Sequence, residues 1–168
     1  MTHPLKIGKF RHGVTPVSLA SEYAALARED ESAARLLHDH GRHRHAAYFA
    51  IQAIEKFVRA EVFALVSARH ACHREWATTH NLDDLLAFLV EIVCHDDLKR
   101  RHVTSLLNDR VMGGVRFGRL HNDLRYPRHS ERYGTHSVLE VEEVDARRTF
   151  EILGQLKHSL ENLERLRS

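Results

Sequence analysis

The sequence predicts an all-α fold, an antiparallel four- to five-helix up-and-down bundle, with residues 1–15 as an N-terminal arm and 16–168 as the bundle. Three observations lead there. Apolar residues recur at intervals of three and four over long stretches, the period of a helix that buries one face. Helix-opening and helix-ending residues fall at the edges of those stretches. No strand of note, internal repeat or low-complexity tract interrupts them. The composition agrees: 168 residues suffice for one domain with a real core, and 43% hydrophobic with 29% charged residues is the balance of a soluble globular chain.

Thr15-Pro16 opens the first helix, a capping hydroxyl followed by proline at the first helical position. Leu19, Tyr23, Leu26, Ala33, Ala34 and Leu37 follow at helical spacing, and Gly41 ends a helix of about 16–40. The second helix is expected over 43–70. Ala50, Ala53, Ile54, Phe57, Ala64 and Leu65 form one apolar face, and Ile51, Val58 and Val62 an adjoining one. Two apolar faces require neighbours on two sides, which places this helix at the centre of the bundle. Glu55, Lys56 and Arg59 make its narrow polar strip, with Glu55 and Arg59 at the favourable i,i+4 spacing.

After a polar connection at 71–80, Asn81 caps a third helix carrying Leu82, Leu85, Leu86, Leu89 and Val93. Asp83 and Asp84 fall in its first turn, where the helix dipole favours negative charge. A fourth helix is expected over 96–111, with Asp96 and Asp97 at its start and Leu98 and Leu106 facing inward. Residues 112–137 carry Gly113, Gly114, Gly118, Pro127 and Gly134 and read as one long irregular segment. Connections of that length in a small bundle are commonly functional or mobile. The last helix, about 140–166, holds a near-heptad stripe of Ala146, Phe150, Leu153, Leu156, Leu160 and Leu163.

The formal net charge is only +2, so no gross basic footprint demands nucleic acid. Histidine is the unusual residue, 15 of 168, so positive charge rises steeply below about pH 6.5. Two cysteines, Cys72 and Cys94, argue for a reducing compartment and against a disulfide framework. With no signal-peptide core and no apolar run near the ~20 residues of a membrane span, the expected location is cytoplasmic.

Three motifs carry a family resemblance. Ala46-Ala47-Tyr48-Phe49-Ala50-Ile51-Gln52-Ala53-Ile54-Glu55-Lys56-Phe57-Val58 resembles the second helix of HEPN domains (higher eukaryotes and prokaryotes nucleotide-binding). Thr79-His80-Asn81-Leu82-Asp83-Asp84-Leu85-Leu86 resembles that family's opening of the third helix, and Arg125-Tyr126-Pro127 its segment before the last. Order and spacing agree, and the resemblance spans about residues 18–165. It implies an all-α bundle that dimerises through its helices. For function it implies one of two things: an RNA-cutting toxin with an arginine and a histidine separated by four to six residues, or a non-catalytic module. Modules of that kind accompany a minimal nucleotidyltransferase, bind nucleotides or act as scaffolds.

The nuclease chemistry needs a histidine as general acid or base and an arginine to fork onto the scissile phosphate. Arg116 and His121 have four residues between them, which fits, but they precede Arg125-Tyr126-Pro127 and enclose Gly118. Arg125 to His129 and Arg132 to His136 enclose only three residues, and Arg128 to His136 encloses seven. The candidate catalytic residues are therefore Arg116 and His121, then Arg125 and His129. Arg119, Arg125, Tyr126, Arg128, Arg132 and His136 are candidates to bind a phosphate or nucleotide, and Tyr126 and Tyr133 to stack a base or pack the loop.

No cofactor and no metal site is expected. Cys72-His73 and Cys94-His95 are adjacent pairs, unlike the gapped ligands of structural zinc, and Cys94 reads as a small buried residue. Asp39, His40, His43 and His45 read as a surface turn, and His80 as a structural position. The sequence thus leaves three readings. The leading one is a nucleotide- or RNA-associated HEPN module, a homodimer in a toxin–antitoxin or defence setting with a nucleotidyltransferase partner. The others are a metal-independent ribonuclease and a helical adaptor that binds protein through the last helix.

Overall fold

The computed structural model describes residues 16–66, 81–107 and 117–165. It is an all-α bundle: α1 (Pro16–Asp39), α2 (His43–Leu65), α3 (Leu82–Val93), α4 (Asp97–Leu106), α5 (Phe117–Asp123) and α6 (Glu143–Arg165), with β1 (Arg128–Ser130) and β2 (Thr135–Ser137) paired between α5 and α6. Expectations for the arm, Thr15, 67–80, 108–116 and the Leu163 side chain lie outside the described residues.

α1 ends as its sequence directs. Gly41 takes φ +69°, its N–H donates to the His38 carbonyl (2.9 Å), and the Arg42 N–H reaches the Leu37 carbonyl (2.8 Å). These two bonds close a Schellman turn, which uses carbonyls the helix end leaves unpaired. The tight turn lays α2 back along α1. Tyr23 stacks on Phe63 (5.4 Å, 10° between planes), and Lys56 pairs with Asp30.

α2 is the central helix. Ala46, Ala47, Ala50, Ile51, Ala53, Ile54, Val58 and Val62 are buried on it. Around them lie Leu82, Leu85, Leu86, Leu89 and Val90 of α3, Ile152, Leu153, Leu156 and Leu160 of α6, and Phe117 and Leu124 from the α5 region. Each large apolar side chain removed from water contributes about 1.5–3 kcal/mol before entropy is counted. The helix stops at Leu65, earlier than its periodicity suggested, because Val66 turns extended (φ −99°, ψ 121°).

The polar strip of α2 is not a solvated face. Glu55 is 8% exposed and Arg59 3%, and Arg59 donates twice to Glu55 Oε1 (3.0 and 2.8 Å). The Arg59 guanidinium also lies over the Tyr23 ring (5.8 Å), so α1 covers the pair. α6 is tied to α1 through Lys157, which pairs with Glu31 (2.8 Å). Burial raises the Glu31 carboxyl, but hydrogen bonds from Lys157 and Arg35 outweigh it and hold the group below its ordinary value.

The shorter helices are capped by their own sequence. Asn81 accepts from the Asp83 N–H (3.1 Å), and Asp96 accepts from Leu98 and Lys99 (2.8 and 2.9 Å). Those bonds hold the Asp96 carboxyl below its usual value. Three inward assignments fail, at Ala64, which is exposed on α2, and at Leu98 and Leu26. Leu98 is 77% exposed, while Val103 and Leu106 are half-buried on α4 and Leu107, just past its end, is buried. Leu26 is 43% exposed, and Ala27 takes the buried position beside it. Cys94 is buried at the end of α3, as expected of a small apolar residue. Among the described residues no helix is long and apolar enough to cross a membrane.

Candidate functional site

The segment expected to be irregular holds two ordered pieces, α5 and the β1–β2 hairpin, and neither was legible in advance. Tertiary contacts build α5. At its start the Asp83 carboxylate accepts from the Phe117 and Gly118 N–H groups (3.4 and 3.3 Å). A Cβ on Gly118 would meet Asn81 Oδ1 at 3.0 Å, the same atom that caps α3. Glycine there lets two helix starts share one polar corner. At the other end Arg44, in the first turn of α2, donates to the Leu124 carbonyl (2.9 Å) and the Asp123 carbonyl (3.4 Å). A cation at those carbonyls satisfies a helix terminus and complements its dipole.

The inner face of α5 closes over an apolar cavity of about 260 Å³, floored by Ala47, Phe117, Leu120, Leu124, Leu139 and Ile152. His121 and the turn after α5 carry the candidate chemistry. The His121 ring stacks on Tyr48 of α2 (5.7 Å, 26°). The Arg125 guanidinium lies over the same Tyr48 ring (5.8 Å) and over Tyr126 (5.0 Å). Tyr48, half-buried and fixed on the central helix of the fold, thus contacts both His121 and Arg125.

Beyond α5, Arg128 at the root of β1 forks onto the Asp123 carboxylate, with Nε 3.2 Å from Oδ1 and Nη2 on Oδ2. Asp123, Tyr126, Arg128, Ser137, Val138 and Leu139 line a cleft of about 250 Å³ at the hairpin's base. That volume is near the small end for a ligand pocket and suits one planar ring system. Arg132 lies over Tyr133 at the hairpin tip (5.4 Å), and both tyrosines of the segment are largely exposed.

The hairpin pairs Arg128 with Ser137, His129 with His136, and Ser130 with Thr135. Its turn is closed by the Tyr133 N–H on the Ser130 carbonyl (3.2 Å) and by Gly134 at φ +58°. Short polar strands of this kind carry no apolar alternation to announce them.

Of the candidate catalytic pairings, only that of Arg125 with His129 falls wholly within the described residues. Arg116 lies outside the described residues. His121 sits on a helix, as the chemistry asks, but its neighbour on Tyr48 is Arg125. Arg125 and His129, taken together on spacing, have different partners: the first contacts Tyr48 and Tyr126, the second His136. Arg119 is exposed on α5. Reading by spacing missed Arg44 and Asp83, which hold α5 in place, and it gave Tyr48 no part in the site. No local signal marks the first two, because each acts on a helix more than thirty residues away in the chain.

No protein-family model, curated protein or solved structure matches the chain.

Proposed function

We propose that this chain is a HEPN-type module that binds a nucleotide or single-stranded RNA through α5 and the hairpin. The observation that carries the reading is the Tyr48 platform, which gathers His121, Arg125 and Tyr126 beside the hairpin cleft. Arg125 and Arg119 supply charge for phosphate, and Tyr126 supplies a face for a base. The family resemblance supports the wider setting: a homodimer in a toxin–antitoxin or defence pair with a minimal nucleotidyltransferase. The test is a titration of ATP and of a short uridine-rich RNA followed by amide chemical shifts. Shifts confined to 117–137, weakened about tenfold by Arg125→Ala, support the reading. Unmoved signals with both probes overturn it.

A second reading rests on the same platform. A half-buried imidazole and an arginine on one tyrosine ring supply the two groups a metal-independent ribonuclease uses, with His121 as the acid or base and Arg125 on the phosphate. RNA cleavage without divalent metal, lost in His121→Ala and kept in His129→Ala, supports it. Equal absence of cleavage in the wild type and both variants removes it.

A further inference from the structure

We infer that the β1–β2 hairpin carries a binding site for a divalent first-row transition-metal ion, held by the imidazoles of His129 and His136. It stands apart from the Tyr48 platform and does not depend on the function proposed above. The two residues are directly opposed in the antiparallel register, which places both side chains on one face of the ribbon. Both are exposed, and their ring centroids lie 4.8 Å apart with 48° between the planes.

That separation matches the one two imidazoles hold around a shared ion. An imidazole nitrogen lies about 1.1 Å from its ring centroid and about 2.0–2.1 Å from a bound Zn²⁺ or Cu²⁺ ion. Two imidazoles at about 90–110° around one ion therefore hold their centroids about 4.5–5.2 Å apart. The cations nearest in sequence have other partners. Arg128, on the opposite face of the strand, is turned onto Asp123, and Arg132 lies on the Tyr133 ring. The ladder and the Gly134 turn fix the register, so the second imidazole is already in place when the first binds. Imidazole ligands with open water positions select Cu²⁺, Ni²⁺ and Zn²⁺ over Mg²⁺ and Ca²⁺, and Cu²⁺ binds tightest of the series. An ion there would clip together the two strands that wall the cleft.

The chain has 15 histidines, so the measurement must report position. Substoichiometric Cu²⁺ added to the ¹⁵N-labelled full chain is expected to broaden the amides of 128–137 before any others. His129→Ala and His136→Ala should each lower the affinity of that site about 10²-fold, the loss of an effective local concentration. The double variant should add little, since either single change already abolishes the chelate. Far-UV circular dichroism checks folding, which two exposed substitutions should leave intact. Broadening that begins elsewhere overturns the site. So does a roughly twofold loss in each single variant, the pattern of two independent imidazoles.

Discussion

Replacing Arg59 with methionine is the sharpest test of how this bundle is held together. The guanidinium makes two bonds to Glu55 Oε1, and both residues are almost excluded from water. A methionine side chain would fill much of the volume over Tyr23 but would take the guanidinium away from the buried Glu55 carboxylate. Removing one partner of a buried ion pair costs about 3–5 kcal/mol, because the remaining charge stays desolvated. A domain of this size has about 5–15 kcal/mol of stability in all. For 150–250 residues each kcal/mol moves Tm by about 2–4 °C, so the expected fall is about 6–20 °C. Glu55→Leu combined with Arg59→Met should recover part of the loss, since neither charge of the pair is then left buried opposite an apolar group. Urea and thermal unfolding followed by circular dichroism, repeated at several protein concentrations, measure the cycle. A single-variant loss under about 1 kcal/mol would refute the reasoning, as would a double variant no better than the singles. The first result would mean that water reaches the pair, and the second that the loss is one of packing and not of charge compensation.

Other expectations follow from the same contacts. Glu31→Gln should cost about 0.5–1 kcal/mol at pH 7, where Lys157 and Arg35, both partly in solvent, stabilise the carboxylate. The folded carboxyl titrates below its unfolded value, so this stabilisation is present above about pH 4.3 and fades as pH falls through the lowered folded value. Paired urea titrations at pH 7 and pH 3 should therefore show the variant and wild type converging. Arg44→Met deprives the Leu124 and Asp123 carbonyls of a donor and should cost about 1–3 kcal/mol. It should also speed amide exchange across 117–125 more than in α2, whereas uniform exchange would argue against a local anchor. Gly134→Ala forces a Cβ into the left-handed region and should weaken the hairpin by about 1–2 kcal/mol. Chemical-shift changes confined to 128–137 with an unchanged Tm would confirm that the hairpin is an accessory to the bundle.

Much of the fold was readable because it depends on local periodicity and local caps. The apolar stripes of α2, α3 and α6 gave those helices, and Gly41, Asn81 and Asp96 marked ends that the structure closes with the expected hydrogen bonds. The polar strip of α2 and its Glu55–Arg59 spacing were equally plain, but their burial was not, since charge in a sequence says nothing about what covers it. Arg59 is sealed only because Tyr23 of α1 lies over it. The site was legible in composition and not in arrangement. The arginines and histidines of 116–136 were visible as a cluster, but spacing offered Arg116 with His121 and Arg125 with His129.

The sequence by itself determined the helical periods, the caps and the segment that concentrates cationic residues, because each is encoded within one or two turns of chain. Tertiary structure decided which of those residues meet. Asp83 and Arg44 fix the two ends of a seven-residue helix, too short to be stable alone, and so bring His121 onto Tyr48. Arg125 reaches the same ring from the turn beyond, and the hairpin register sets His129 against His136. These are contacts between groups distant in sequence or set by strand pairing, and no helical spacing rule contains them.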